Sequence, residues 1–182
     1  MKKHLVNRLF TSLTAVLATT LVFAQEPNAI AISSPKPATA SAIAALMDAP
    51  LPEPANTAVY VKAKVMRSFT DLFGDAADVK WSTANGQYFA SFTQDGKQRK
   101  ALFSNGGALI NCFKYGAESD LPADVRKLVK SNYVDYTISG VTELTTRDWK
   151  AWVVNLMDKN NLVIACVYDG NLEELHQYQR QR

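Results

Sequence analysis

The sequence predicts an α+β protein: a tandem repeat of one helix followed by an antiparallel β-meander, with the helices packed on the sheet. Three observations carry this prediction. Two segments place apolar residues at helical spacing, and each is followed by short runs that alternate with period two. Asn-Gly and Asp-Gly pairs separate several of those runs, where hairpins need residues that tolerate positive φ. The two stretches also align on each other along the chain.

The N-terminus comes first. Lys2, Lys3 and Arg8 form a basic region, an apolar run follows from Leu13 to Phe23, and Ala24 precedes Gln25. This is the pattern of a secretory signal peptide over residues 1–24. The apolar run is shorter than the ~20 residues a membrane span needs. No cysteine stands immediately after the cleavage site, so the pattern of a lipid-anchored lipoprotein is missing, and no later stretch is long and apolar enough to span a bilayer. Export to the periplasm or beyond the cell is therefore expected. Residues 1–24 hold three of the 20 Lys and Arg and none of the 17 Asp and Glu, so the mature chain is neutral. A neutral, exported chain is not expected to bind nucleic acid.

Residues 25–57 read as a Pro/Ala-rich disordered tether. Six of the seven prolines lie between Pro27 and Pro54 among Ala, Ser and Thr, a composition that buries little and stays extended. "SAIAALM", Ser41–Met47, is a good helix former within it, but nothing in the sequence gives that helix a partner. The folded part is then 58–182, with repeats of about 58–116 and 117–182.

Ala58 to Phe73 reads as the first helix, because Val61, Val65, Phe69 and Phe73 recur every four residues and Gly74 follows as a stop. Four strands follow: "VKWSTA", "QYFASFTQ", "KQRKALFS" and "ALINCFKY", reversed at Asn85-Gly86, Asp95-Gly96 and Asn105-Gly106. Pro122 then opens a second helix, with Val125, Leu128, Val129 and Tyr133 on its apolar face. "YTISGVTEL", "WKAWVVNLM", "NLVIACVY" and a last strand after Asp169-Gly170 complete the set. A shift of 64 residues lays Tyr88, Ala90 and Phe92 on Trp152, Val154 and Leu156, and Asn105-Gly106 on Asp169-Gly170. The helices match at a shift of 60, which implies a four-residue insertion before the second sheet segment. Tyr88, Ala90, Phe92 and their counterparts should face the helices. "NLVIACVY" is apolar on both phases, so it is expected to be covered on both faces or to join an interface.

The Val79-Lys80-Trp81 triplet, the Tyr-x-Ala-x-Phe strand at 88–92, "LPADVRKLVKS" and the Tyr168-Asp169-Gly170 turn occur in one order across roughly 64–178. In that order the chain resembles secreted Bacteroidetes proteins of the beta-lactamase-inhibitor-like, PepSY-like class. The resemblance implies a tandem α+β fold in the cell envelope and supplies no catalytic residues. Inhibition would follow from it by analogy only.

The chemistry on offer is sparse. The mature chain has one histidine, His176, and no His-x-x-x-His or Cys-x-x-Cys spacing, so neither a metal nor a cofactor is expected. Asp158, Asp169, Glu173 and Glu174 fall at turns without the regular spacing of a calcium loop. Cys112 and Cys166 lie in predicted strands of an exported protein. A disulfide between them would close a loop of about 54 residues and contribute roughly 4 kcal/mol in the chain-entropy model. It needs adjacent strands with matching phase; two separate buried thiols are the alternative, and a Cys–His nucleophile a third. The expected function is that of a non-enzymatic envelope protein binding a protein or peptide. Phe89 and Lys100, on the sheet face opposite Tyr88, and the turns at Asp95, Asn105 and Asp169 form its expected contact region. The second reading is a small-molecule or lipid carrier with Tyr88, Phe92, Trp149 and Trp152 around a cavity between helices and sheet.

Overall fold

The computed structural model describes residues 39–48 and 59–179; the expected signal peptide and most of the expected tether lie outside them. Helix α1 (Ala40–Asp48) comes first, then α2 (Ala63–Leu72) and four strands: β1 (Ala77–Ala84), β2 (Gln87–Gln94), β3 (Lys97–Phe103) and β4 (Leu109–Gly116). A 3-10 turn at Glu118–Asp120 leads into α3 (Ala123–Asn132). Strands β5 (Thr137–Thr145), β6 (Lys150–Met157), β7 (Asn161–Tyr168) and β8 (Asn171–Gln179) follow. All eight strands form one antiparallel sheet in chain order.

The register decides which residues meet the helices. Across β2 and β3, Tyr88 faces Phe103 and Ala90 faces Ala101; across β3 and β4, Ala101 faces Cys112. These side chains close on Val65, Phe69 and Phe73 from α2 and its C-terminal end. Val154, Leu156, Val163 and Ala165 of β6 and β7 close in the same way on Val125 and Val129 of α3. The alternation read from the sequence is therefore the alternation observed, and both helices sit on one face.

Helix α2 starts later than the predicted Ala58, because Lys62 is extended (φ −61°, ψ 142°) and caps it from outside. Both helices stop on a residue out of helical geometry, Phe73 and Tyr133, whose N–H groups donate to the carbonyls of Phe69 and Val129. β1 and β5 begin at Ala77 and Thr137, still 60 residues apart. The expected insertion before the sheet is thus not there. The extra residues lie in the longer connections that follow: 146–149 between β5 and β6, against Asn85-Gly86 between β1 and β2, and 158–160 against Asp95-Gly96.

Asn85-Gly86, Asp95-Gly96 and Asp169-Gly170 all take positive φ at both residues, the geometry of two-residue hairpins. Asn105-Gly106 does not. There the reversal spans Ser104 to Ala108, the Ser104 N–H donates to the Ala108 carbonyl, and Gly107 carries the positive φ of 90°.

The face opposite α2 and α3 holds a finding the composition hid. Helix α1 packs on it: Ile43 is fully buried and Ala40 nearly so, in a cluster with Phe113, Leu144, Trp149, Ala151, Val153 and Cys166. The expectation that this helix lacks a partner is corrected. Strand β7 is covered on both faces, by α3 through Val163, Ala165 and Val167 and by α1 through the cluster holding Cys166.

Candidate functional site

The part of the sheet outside the α1 cluster is the N-terminal side of that same face. The cluster draws on β4 to β8 and includes no residue of β1 to β3. Two cross-strand rows cross this region. One runs Ser82, Phe89, Leu102, Asn111; the next runs Lys80, Ser91, Lys100 and ends on Phe113, at the border of the α1 cluster. Phe89, Ser91, Lys100 and Leu102 are half-buried, whereas Ser82 and Asn111 are buried. Tyr88, Ala90 and Ala101, which alternate with them, are pinned against α2, so the rows are held on a rigid backing. The Lys100 ammonium lies 5.9 Å from the centroid of the Tyr115 ring. Asn111 Oδ1 is buried without a hydrogen-bond partner.

The five residues expected to form a contact region do not come together. Phe89 and Lys100 share a face and are diagonal neighbours, because Phe89 pairs with Leu102 and Lys100 with Ser91. Asp95 lies at the end of the sheet opposite to Asn105 and Asp169, since successive turns of a meander alternate ends. Its carboxylate meets Arg99 at 3.4 Å. Asn105 and Asp169 share an end, but they close the β3–β4 and β7–β8 reversals. Four inter-strand steps separate these, roughly 19 Å at the usual spacing. Asn105 accepts from Lys62 Nζ at 2.6 Å, and the Asp169 carbonyl accepts from Asn171 Nδ2 at 3.3 Å. Asp95 and Asp169 hold contacts within their own hairpins, and Asn105 ties the β3–β4 reversal to Lys62 at the start of α2.

The carrier arrangement is also corrected. Tyr88 and Phe92 belong to the cluster under α2, Trp152 packs on the cluster under α3, and Trp149 belongs to the cluster under α1 on the other face. Four aromatics in three clusters cannot line one cavity.

The disulfide reading is corrected too. Cys112 and Cys166 are both free and buried. Strands β5 and β6 intervene between them, and the two side chains point to opposite faces, Cys112 toward α2 and Cys166 toward α1. No local shift could bring them within bonding range. Burial pushes Cys112 up to about 11 and Cys166 up to about 12 from 9.0. A thiol held protonated is a poor nucleophile. His176 on β8 pairs with Ile164 of β7, and its Nε2 lies 3.5 Å from an Asp48 carboxylate oxygen of α1, with neither thiol in bonding contact.

A pH dependence follows. Above pH 9 the unfolded chain ionises both thiols while the fold keeps them protonated, so the native state binds more protons and stability falls as pH rises. The loss reaches about 1 kcal/mol per thiol by pH 10. Denaturation midpoints between pH 8 and 10 should fall in wild type and fall less in a Cys112→Ala/Cys166→Ala variant. Thiol titration of the denatured, unreduced protein should count two.

The helix-bearing face carries the main ion-pair network. Glu143 on β5 takes Lys150 at 2.5 Å and Lys114 at 3.6 Å, and Lys150 lies 5.8 Å from the Trp152 ring centroid. Asp120 bonds Lys97 at 2.8 Å and accepts from the Ala117 N–H, which holds its carboxyl below the usual range. Sequence reading missed these pairs because their partners are set by strand register. Asp158 caps its own turn by accepting from the Asn160 and Asn161 N–H groups. Among the described residues no group of three or more His, Cys, Asp or Glu is placed to hold a metal ion. No helix among them is long and apolar enough to cross a membrane.

Taken together, these features define an α+β protein with an eight-stranded antiparallel sheet, helices on one face and a shorter helix on the other. No protein-family model matches the sequence, and no curated protein is similar to it. Solved structures share the fold. A BLIP-like protein from Bacteroides fragilis NCTC 9343 superposes with a TM-score of 0.56 at 17% identity, covering 67% of this chain and 88% of that one. A DUF2874 family protein from Bacteroides ovatus ATCC 8483 gives 0.57 at 20% identity, with 67% and 89% covered. A protein from Bacteroides eggerthii DSM 20697, described as a candidate periplasmic protein, gives 0.55 at 17% identity, with 66% and 90% covered. The BLIP-like neighbour is of the kind that the sequence resembles, and at these identities the likeness is one of fold.

Proposed function

We propose that this chain is an exported envelope protein that performs no catalysis and binds a protein or peptide through the sheet face around Phe89 and Lys100. The observation that carries this reading is the pair of rows through those residues. An aromatic ring and a cation lie half-exposed on a rigid, helix-backed sheet, outside the apolar cluster that α1 closes. Open, mixed apolar and polar sheet faces suit protein partners better than small ligands, which prefer enclosed pockets. Export rests on the signal-peptide pattern of residues 1–24, with 25–57 as the segment linking it to the fold. Mass analysis of the exported protein should place its N-terminus at Gln25.

A tandem repeat underlies the sheet in this reading. Its support is the recurrence of details at a shift of 60: caps at Lys62 and Pro122, stops at Phe73 and Tyr133, and the Ala76 and Tyr136 N–H groups donating back to the carbonyls of those stops. β1 and β5 each also carry an irregularity in their pairing near their starts.

The test is a cross-linked pull-down from native envelope extract with wild type and a Phe89→Ala/Lys100→Glu variant. A species captured by wild type and reduced at least tenfold by the variant is expected. Capture of nothing, or identical capture by both, would count against the reading.

A further inference from the structure

Helix α1 closes the middle of its face and leaves the rim part-exposed. Only Ala40 and Ile43 of its nine residues are buried, while Leu46 and Met47 are partly so. Beneath them lies a larger apolar surface that includes Phe113, Leu144, Trp149 and Val153, and its rim residues Ile164, Tyr168 and Leu175 remain half-buried. The Trp149 indole N–H in that cluster is buried with no acceptor. At the C-terminal end of α1, Asp48 faces His176 of β8 at 3.5 Å. Nine residues are also too few for a helix to hold in water by itself, so α1 is helical only while docked.

We infer that the face of β4–β8 under α1 is a helix-binding surface, held in cis by α1 and built to take a longer amphipathic helix of a partner protein. This deepens the binding-module reading and rests on it. The partner helix presents small and aliphatic residues at i, i+3 and i+7, as Ala40, Ile43 and Met47 do. It carries a carboxylate near its C-terminus for His176 and an additional acceptor for the Trp149 indole. Such a helix gains the half-buried rim that α1 leaves, which is how it displaces a tethered competitor despite the competitor's high effective concentration. The seated α1 is the direct evidence that this surface accepts a helix, with Asp48 at its C-terminal end placed 3.5 Å from His176 Nε2.

The two thiols report on α1 separately from the rest of the fold. Cys166 lies in the cluster α1 closes, whereas Cys112 lies under α2. Lifting α1 is a local opening, and exposing Cys112 needs the helix-backed core to open. Alkylation of the mature full-length protein, followed by mass spectrometry at each cysteine, should modify Cys166 at least tenfold faster than Cys112. In Ile43→Asp the Cys166 rate should rise a further tenfold or more with Cys112 unchanged. A synthetic peptide of residues 37–50 added to that variant should restore protection, and the same peptide carrying Ile43→Asp should not. Equal rates at both cysteines in wild type overturn the proposal even if Ile43→Asp fails to fold. Failure of the wild-type peptide to protect a folded Ile43→Asp overturns it as well. A concentration-dependent dimer that itself protects Cys166 would assign the surface to a second copy, against a partner's helix. Loss of capture by Phe89→Ala/Lys100→Glu with any of these negative results would leave the binding-module reading standing and remove this surface from it.

Discussion

Replacing Phe69 by Ala should destabilise the protein by about 3–5 kcal/mol, the largest single loss expected from the core. Phe69 projects from α2, is 5% exposed, and its ring meets four others. The centroids lie at 5.5 Å for Phe73, 5.1 Å for Trp81, 5.1 Å for Phe92 and 6.2 Å for Phe103. Two of these come from the helix end and β1, and two from β2 and β3, so the ring ties α2 to three strands. Truncation leaves a cavity lined by rings that cannot all collapse into it, and it removes edge-to-face pairing beyond the lost area. Because a domain of this size holds about 5–15 kcal/mol in total, the variant should melt roughly 15 °C lower. Chemical denaturation checks the figure. A loss under about 1 kcal/mol would mean that α2 is not the keystone of this half.

Gly107→Ala should cost about 3 kcal/mol, well above the ordinary penalty for a glycine in a turn. Two effects combine there. Gly107 has φ of 90°, and a Cβ added to it would lie 2.9 Å from the Lys64 carbonyl oxygen and 3.2 Å from Ser68 Oγ. The oxygen belongs to helix backbone, so relief requires moving α2 off the sheet. Gly170 supplies the control: its φ is 76°, and an added Cβ meets nothing within 4 Å. Gly170→Ala should therefore cost only about 1–2 kcal/mol, the left-handed penalty alone. Equal losses at the two sites, measured by denaturation, would show that the approach of the β3–β4 reversal to α2 is not a tight contact.

What could be read in the sequence divides along physical lines. Period-two alternation at Tyr88, Ala90 and Phe92 is dictated by the pleat, so it named the helix-facing side correctly. The two-sided apolar pattern of "NLVIACVY" pointed to a cover on both faces or to an interface, and the structure supplies the cover with α3 and α1. The cover itself was hidden by the prolines on either side of it. Yet Ala40, Ile43 and Met47 already stood at i, i+3 and i+7, and β7 lacked a partner for one face. Joining those two facts would have docked α1.

The candidate site was less legible, because it depends on register and on which end of the sheet a turn occupies. Asp95 was grouped with Asn105 and Asp169 as a turn residue, although a meander sends alternate turns to opposite ends. Asn105-Gly106 carries a hairpin dipeptide, but Gly107 beside it offers a second glycine, and the close approach to Lys64 needs that one in the positive-φ position. The cysteines lay in strands, as expected, but their opposite faces follow only from the pairing of eight strands. Phe89 and Lys100 remain together because they lie on adjacent strands with matching phase.

The central claim is that this protein acts through the sheet face around Phe89 and Lys100. Site-specific photo-crosslinking in cells that export the protein tests it most directly. A photoreactive phenylalanine analogue at position 89 is compared with one at Arg67, an exposed position on α2. A discrete cross-linked protein from position 89, absent from position 67 and abolished by Lys100→Glu, is the predicted result. Cross-links of equal yield from both positions, or from neither, would contradict it.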